Sequence, residues 1–301
     1  MKSKNIIQSK YKNVTCPKCN FNKIKKDGLR KTQTRGKIQR YKCKECGFRF
    51  VIDDGFYRMR NHEKKITLCL DLYFKGISLR KIQEHLQAFY PQNSSHVAIY
   101  DWIIKYPLII SKLTDTLKVN TGTELMSDEM EYHRLGKQNW FVDVMDTKTR
   151  YIVSSEYMQS RTIENLIRVL KKARVATEEQ IKVVTTDGLQ GYPRVLKKTF
   201  GLKTHWDHKS RIVHNVVIAS VRGFNHKIER LHNSIRERTK TTRGFHGCLE
   251  SAYAIMKGFE IYYNFIRKHQ ALGKTPAEKA LPELILGNNQ WLDLIKLSKK
   301  D

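Results

Sequence analysis

The sequence predicts an α/β protein: a mixed sheet with helices on its faces, preceded by a small cysteine-bearing module and a helical segment. Three observations lead to that class. From residue 120 the texture runs strand, strand, strand, helix, strand, helix. Between residues 60 and 112 apolar side chains recur only at helical spacing. Residues 1–50 are polar, strongly basic and carry four of the six cysteines.

Those four read Cys16-Pro17-Lys18-Cys19 and Cys43-Lys44-Glu45-Cys46-Gly47, two CxxC knuckles separated by 23 residues. Two intervening residues let a tight turn point both sulfurs inward, so each pair can clasp one side of a tetrahedral zinc ion as thiolates. Between and after the knuckles, Gln39-Arg40-Tyr41-Lys42 and Phe48-Arg49-Phe50-Val51 alternate as short strands do. Residues 1–55 therefore read as a zinc ribbon, with Cys16, Cys19, Cys43 and Cys46 on structural Zn²⁺. Disulfides are the alternative; a reducing cytosol disfavours them, and a segment this polar needs a staple to fold. With 16 basic and two acidic side chains in residues 1–50, the module should touch phosphates, Arg40, Lys42 and Arg49 among its contacts. A merely solvated tail is the plainer reading of such a charge run. Cys69 and Cys248 stand alone in apolar helical patterns and are expected as small core residues.

Asp53-Asp54-Gly55, rich in charge and turn residues, ends the ribbon. The first helix is expected over about Glu63 to Phe74, with Ile66, Cys69, Leu70 and Tyr73 on one face. The second opens at Ser78, an N-cap candidate, and carries Leu79, Ile82 and Leu86. The third follows the turn at 91–95 and carries Val97, Ile99, Trp102 and Ile103 to about Tyr106. Three short helices with a turn before the third have the outline of a helix-turn-helix over 60–112. An ordinary three-helix linker shows the same periodicity; the neighbouring basic ribbon favours DNA binding.

Thr123 to Met130 is a weakly marked strand, Trp140 to Met145 a strong one, and the polar turn Asp146 to Thr149 leads into Arg150 to Ser155. So short a connection pairs strands antiparallel. Arg161 to Ala173 has helical apolar spacing, and Ile181 to Thr186 is a buried strand ending at Asp187-Gly188. A strand that returns after a helix normally lies parallel in the same sheet.

Phosphoryl transfer in DNA uses two divalent ions about 3.5–4 Å apart. Mg²⁺ takes hard oxygen ligands and needs only one or two carboxylates per ion, so three on a rigid frame suffice. The sequence offers Asp128, Asp187 and Glu229. Asp187 closes Val183-Val184-Thr185-Thr186 at the carboxyl edge of a central strand, where α/β sheets hold ligands; an Asp before a Gly is also a common turn residue. Glu229 follows Ile228 on a helix whose Phe224, Ile228, Leu231 and Ile235 face inward; a solvated glutamate paired with a base is the commoner fate of such a residue. His232 and Arg236 share its face and could contact DNA or orient the glutamate.

Ser127-Asp128-Glu129, Thr186-Asp187-Gly188 with Tyr192-Pro193, and Asn225 to His232 together resemble the three signature blocks of DDE insertion-sequence transposases, most of all the IS-six type. The basic run Arg236-Glu237-Arg238-Thr239-Lys240-Thr241-Thr242-Arg243-Gly244-Phe245 is similar to that family's run ending in Arg-Gly-Phe. Tyr263-Asn264-Phe265 and His269 to Glu278 resemble the integrase-core tail. The resemblance covers roughly 120–285. It implies a ribonuclease H-like fold, a Mg²⁺ or Mn²⁺ triad at Asp128, Asp187 and Glu229, and DNA cleavage and joining, with Arg236, Arg238, Lys240 and Arg243 beside His232 on DNA. Residues 207–224 form a longer stretch before the third block than the family leads one to expect. Glu129 directly follows Asp128 and should point to the opposite face of its strand; Asp128 is taken as ligand by analogy. Thr275-Pro276-Ala277-Glu278 reads independently as a capping box, and His269 as a core or cap residue.

The whole chain carries 57 Lys and Arg against 29 Asp and Glu, a net charge of +28. A polyanion is the natural partner, and double-stranded DNA is favoured over a membrane surface because no amphipathic anchor precedes the bases. No run of about 18 apolar residues exists, so a cytoplasmic, nucleoid-associated protein is expected. The predicted organisation is a ribbon over 1–55, the helical domain over 60–112, the catalytic domain over 120–285 and a tail over 286–301. Acting on two DNA ends implies a homo-oligomer on DNA. Two other functions fit the same front end: a non-catalytic DNA-binding regulator, and a structure-selective nuclease.

Overall fold

The computed structural model describes residues 14–90, 94–178, 180–201, 212–217, 226–239 and 244–299. Lys240 and Arg243, and most of the stretch 207–224, lie outside the described residues, as does the side chain of Arg238. The chain divides into two compact units, residues 1–71 with 283–301, and residues 72–282.

In the first unit, β1 (Ile24–Thr32), β2 (Gly36–Cys43) and β3 (Arg49–Phe50) form an antiparallel sheet in that order. The β1–β2 turn is tied by the Thr32 hydroxyl, which donates to the Gly36 carbonyl at 2.8 Å and accepts from the Arg35 amide at 3.1 Å. Gly36 sits at φ +68°, a conformation that glycine adopts without a Cβ penalty. The Asp53-Asp54-Gly55 segment is clamped by its own side chains. Asp53 accepts from the Gly55 amide at 2.9 Å, and Asp54 accepts from the Phe56 amide at 3.2 Å and pairs with Arg35.

Helix α1 (Glu63–Phe74) starts where the periodicity places it and buries Ile66, Cys69 and Leu70 completely. Burial pushes the Cys69 thiol up to about 12, as befits an inert core cysteine. The last helix of the described residues, α9 (Gln290–Leu297), belongs to this unit and buries Trp291, Leu294, Ile295 and Leu297. It is tied to α1 by the Asn289 amide on the Thr67 hydroxyl at 2.9 Å and by Lys296 on Glu63 at 2.9 Å. Gly55 makes room for it: a Cβ there would lie 2.5 Å from Ile295 Cγ2.

The second unit begins with α2 (Leu79–Phe89) and α3 (His96–Thr114). Both start on serine caps, Ser78 accepting from the Lys81 amide and Ser95 from the Ala98 amide. Gln83 Oε1 accepts from the His96 amide at 3.0 Å and so fastens the α2–α3 corner. The third helix runs eight residues beyond Tyr106, through Pro107, because its later turns pack on α7 (Leu249–Ile261).

The sheet of this unit contains β4 (Glu124–Glu131), β5 (Trp140–Asp146), β6 (Ile152–Met158), β7 (Val183–Thr186) and β8 (Val213–Val216), in the order β6-β5-β4-β7-β8. Pairs β4–β5 and β5–β6 are antiparallel, and β7 and β8 run parallel to β4. Strand β8 lies in the stretch whose structure the motifs left open. One face is covered by α4 (Ile163–Ala176) and α5 (Tyr192–Phe200), where Leu166, Val169, Leu170, Tyr192 and Leu196 meet Leu125, Val142, Val144 and Val184. The other carries α7 and α6 (His226–Thr239). Covered on both sides, β5 is buried along almost its whole length.

A π-helical turn over Tyr262–Ile266 presents Asn264 to the edge strand β6, accepting from the Ile152 amide at 2.8 Å and donating to its carbonyl at 2.9 Å. The capping box at Thr275 and Glu278 is present and opens α8 (Pro276–Ala280). Cys248 departs from its core expectation: it is exposed at the N-cap of α7, one residue ahead of the apolar pattern. Among the described residues no helix is long and apolar enough to cross a membrane.

Candidate active site

Strand β4 pairs with β7 through Met126 and Thr185, after which β7 ends at Thr186. Two residues further along each chain stand Asp128 and Asp187, side by side at the sheet's carboxyl edge. Asp187 turns back and accepts from the Leu189 amide at 3.0 Å. The carboxylate oxygens of Asp128, Glu129 and Asp187 all lie within 4.8 Å of one another.

Glu129 thus reaches the cluster, contrary to the expectation that it points away. The alternation itself holds. Asp128 lies on the α6 face, beside His232, and Glu129 on the α4–α5 face, where the Tyr192 hydroxyl donates to it and Arg161 approaches at 3.4 Å. What fails is the inference from alternation to exclusion. Because β7 has ended, the edge of β4 is open and both side chains bend round it towards Asp187.

Burial pushes the Asp128 carboxyl up to about 6; Asp143 and Asp187 add to the rise, and His232 offsets part of it. Burial likewise pushes Glu129 up to about 7, against the Tyr192 hydrogen bond and Arg161. Three crowded carboxylates raise one another's affinity for a positive charge. Their hard oxygen donors suit Mg²⁺ or Mn²⁺.

Glu229 is not in this cluster. It is half-buried on the first turn of α6, whose inward face is Ile228, Leu231, His232, Ile235 and Thr239. His232, expected as a DNA contact, is a correction: it is only 3% exposed. It falls four residues after Ile228 and so joins the inward stripe rather than the solvent face. Its Nε2 is 2.6 Å from Asp143 Oδ1 and its Nδ1 3.6 Å from Asp128 Oδ2. Burial opposes its charge, but the Asp143 carboxylate outweighs that and raises its pKa. Arg236 is exposed one turn further on.

The motifs did not point to Asp143. The signal was present: a carboxylate between Val142 and Val144 in the most apolar strand of the chain needs a buried partner. Arg161 was also missed; its guanidinium lies 3.9 Å over the Trp140 ring while it approaches Glu129.

The second cluster is the four cysteines. The Cys16–Cys46 and Cys19–Cys43 sulfurs are 3.6 Å apart and Cys19–Cys46 3.4 Å. Tetrahedral thiolates about 2.3 Å from a zinc ion stand about 3.8 Å apart, whereas a disulfide needs about 2.05 Å. All four are free thiols within reach of one ion, and the set fits a zinc ribbon. Left-handed residues close both knuckles, Asn20 at φ 57° and Gly47 at φ 69°. Of the basic side chains expected on phosphates, Arg40 and Arg49 share Asp27, at 3.3 and 2.9 Å, and Lys42 is half-buried.

An antiparallel three-strand sheet extended by two parallel strands, with acids on its first strand and after its fourth, is a mixed sheet of the ribonuclease H-like kind. Residues 127–270 match a family model described as a DDE domain. The matched segment takes in all three motif blocks, Ser127 to Glu129, Thr186 to Gly188 and Asn225 to His232. Over 107 residues the chain is 32% identical to an insertion element ISM1 uncharacterized 48.3 kDa protein of Methanobrevibacter smithii. The match takes in 31% of this chain and spans only 26% of that relative's length. Among solved structures, similarity extends to the HTLV-2 integrase catalytic core domain in complex with magnesium, with 14% identity and a TM-score of 0.37. It covers 54% of this chain and 97% of that one. A simian T-cell lymphotropic virus intasome in complex with PP2A regulatory subunit B56 gamma aligns at 11% identity and a TM-score of 0.37, covering 70% of this chain and 67% of that one.

Proposed function

We propose that the protein is a DNA transposase that cleaves and joins strands at the ends of a mobile element. The observation that carries this reading is the meeting of Asp128, Glu129 and Asp187 at one sheet edge within the DDE-domain segment. Asp128 and Asp187 are ligands to Mg²⁺ or Mn²⁺, and Glu229 supplies the third carboxylate from α6, one helical turn before the buried His232. Bound there, divalent ions activate an attacking hydroxyl and stabilise the leaving oxygen of a phosphoryl transfer. Glu129 is held by Tyr192 and Arg161, so it adds negative charge at the site while its own geometry is set by those partners.

The four cysteines hold one structural Zn²⁺ in this reading. The basic β1–β2 hairpin and the α2–α3 corner bind element ends, and Arg236, Arg238, Lys240 and Arg243 contact DNA. The chain acts as a homo-oligomer on DNA, since joining requires two ends.

The test is a joining assay with the full chain, precut ends and a target plasmid. Asp128→Asn, Asp187→Asn and Glu229→Gln should each abolish joined product while DNA binding persists, and a double variant should be scarcely worse than a single one. Glu129→Gln should slow joining about tenfold, the scale of a supporting group. DNA binding without cleavage by the parent protein would point to a regulator, and cleavage without joining to a nuclease; either result would overturn the proposal.

A further inference from the structure

We propose that Asp143 and His232 form a positioning pair that sets the Asp128 carboxylate and docks the helix bearing Glu229, so that the first and third carboxylates are placed together. This rests on the metal-dependent reading above.

Asp143 stands directly opposite Asp128 in the β4–β5 register, so the two side chains share a face. It is completely buried, and its Oδ2 has no hydrogen-bond partner among the described residues. A carboxylate so placed is costly unless it is paired. Among the described residues its Oδ1 is met by His232 Nε2 at 2.6 Å. Because Nε2 faces an acceptor it carries its hydrogen, which fixes the ring's orientation and leaves Nδ1 facing Asp128 at 3.6 Å. The imidazole therefore spans two carboxylates on adjacent strands.

Beyond its apolar contacts from Ile228, Leu231 and Ile235, α6 is held by Lys227 donating to the Thr147 carbonyl and the Tyr132 hydroxyl donating to the Thr239 carbonyl, both at 3.2 Å, and by Arg267 donating to the Ser234 hydroxyl at 2.8 Å. None of these partners lies within β5, the strand that faces Asp128. The bond from His232 to Asp143 is directional and comes from a central strand. It pins α6 at the level of Asp128, with Glu229 three residues earlier beside it on the helix.

The experiment uses the full-length, zinc-loaded protein without DNA and titrates Mn²⁺ by calorimetry, with thermal melting of each variant alongside. Glutamine carries its amide nitrogen at the reach of Nε2, so His232→Gln keeps the Asp143 bond and His232→Ala loses it. His232→Ala should weaken Mn²⁺ binding about ten- to a hundredfold, the range for a group supporting a metal ligand, and His232→Gln should recover most of it. Parent-like binding in His232→Ala, with binding lost in Asp128→Asn, overturns the pairing. So does a loss that follows melting temperature across the variants with no recovery by glutamine. Parent-like binding in Asp128→Asn overturns instead the metal reading on which the pairing rests. Should His232→Ala fail to fold, Asp143→Asn decides the matter: about tenfold weaker Mn²⁺ binding supports the pair, and unchanged binding refutes it.

Discussion

Glu63, at the start of α1, stands between two cations, Arg35 Nη2 at 2.7 Å and Lys296 Nζ at 2.9 Å. Burial alone would raise its pKa, but Lys296 and Arg35 outweigh it and hold the carboxyl below its ordinary 4.5. A depressed folded pKa stabilises the fold above the unfolded value, and that contribution is lost as pH falls through the folded one. Acid should therefore weaken the unit containing residues 1–71 from about pH 4.5 downward. Glu63→Gln should lower stability at neutral pH and flatten this acid limb, as followed by thermal melts from pH 7 to 3. An unchanged limb in Glu63→Gln would assign the acid response to other groups. Asp53, held low by the Gly55 amide and Lys299 in spite of its burial, acts with the same sign.

Helix α7 carries Gly258 where the Phe74 ring docks, and a Cβ there would lie 2.0 Å from Phe74 Cζ. Alanine in a helix interior is favoured over glycine by about 1 kcal/mol, but overpacking a filled core costs typically about 1–3 kcal/mol. The ring is fully buried and meets Phe259 edge-on at 5.2 Å, so it has little room to yield. Gly258→Ala should thus be destabilising by denaturant titration; a more stable variant would show that Phe74 can move. The elements that were legible in the sequence were those with strong periodicity or punctuation: α1, the serine-capped α2 and α3, the apolar β5, and β7 with its Asp-Gly end. Strand β8 was not, because four residues of an edge strand, Val213 to Val216, carry too little pattern to separate from a loop. At the site, Asp128 and Asp187 were legible from motif and strand end. The burial of His232 was a question of helix phase, and the approach of Glu129 depended on where β7 stops, which alternation along β4 cannot reveal.

The unit that holds the cysteine cluster is assembled from two segments, residues 1–71 and 283–301, separated by 211 residues of intervening chain. Removing everything after Pro282 would take α9 away from Gly55, Thr67 and Glu63 while leaving residues 127–270 whole. Such a truncated chain should show early protease cleavage within residues 14–71 and a retained core fragment on limited digestion; equal protection of both parts would mean that the N-terminal segment does not depend on α9. During synthesis at about 5–20 residues per second, the ribosome spends roughly 10–40 s on the intervening stretch before α9 can emerge. For that interval the nascent basic module has its thiols and its hairpin but lacks its final packing partner. Completion of the unit that residues 14–71 begin is therefore timed by the translation of α9.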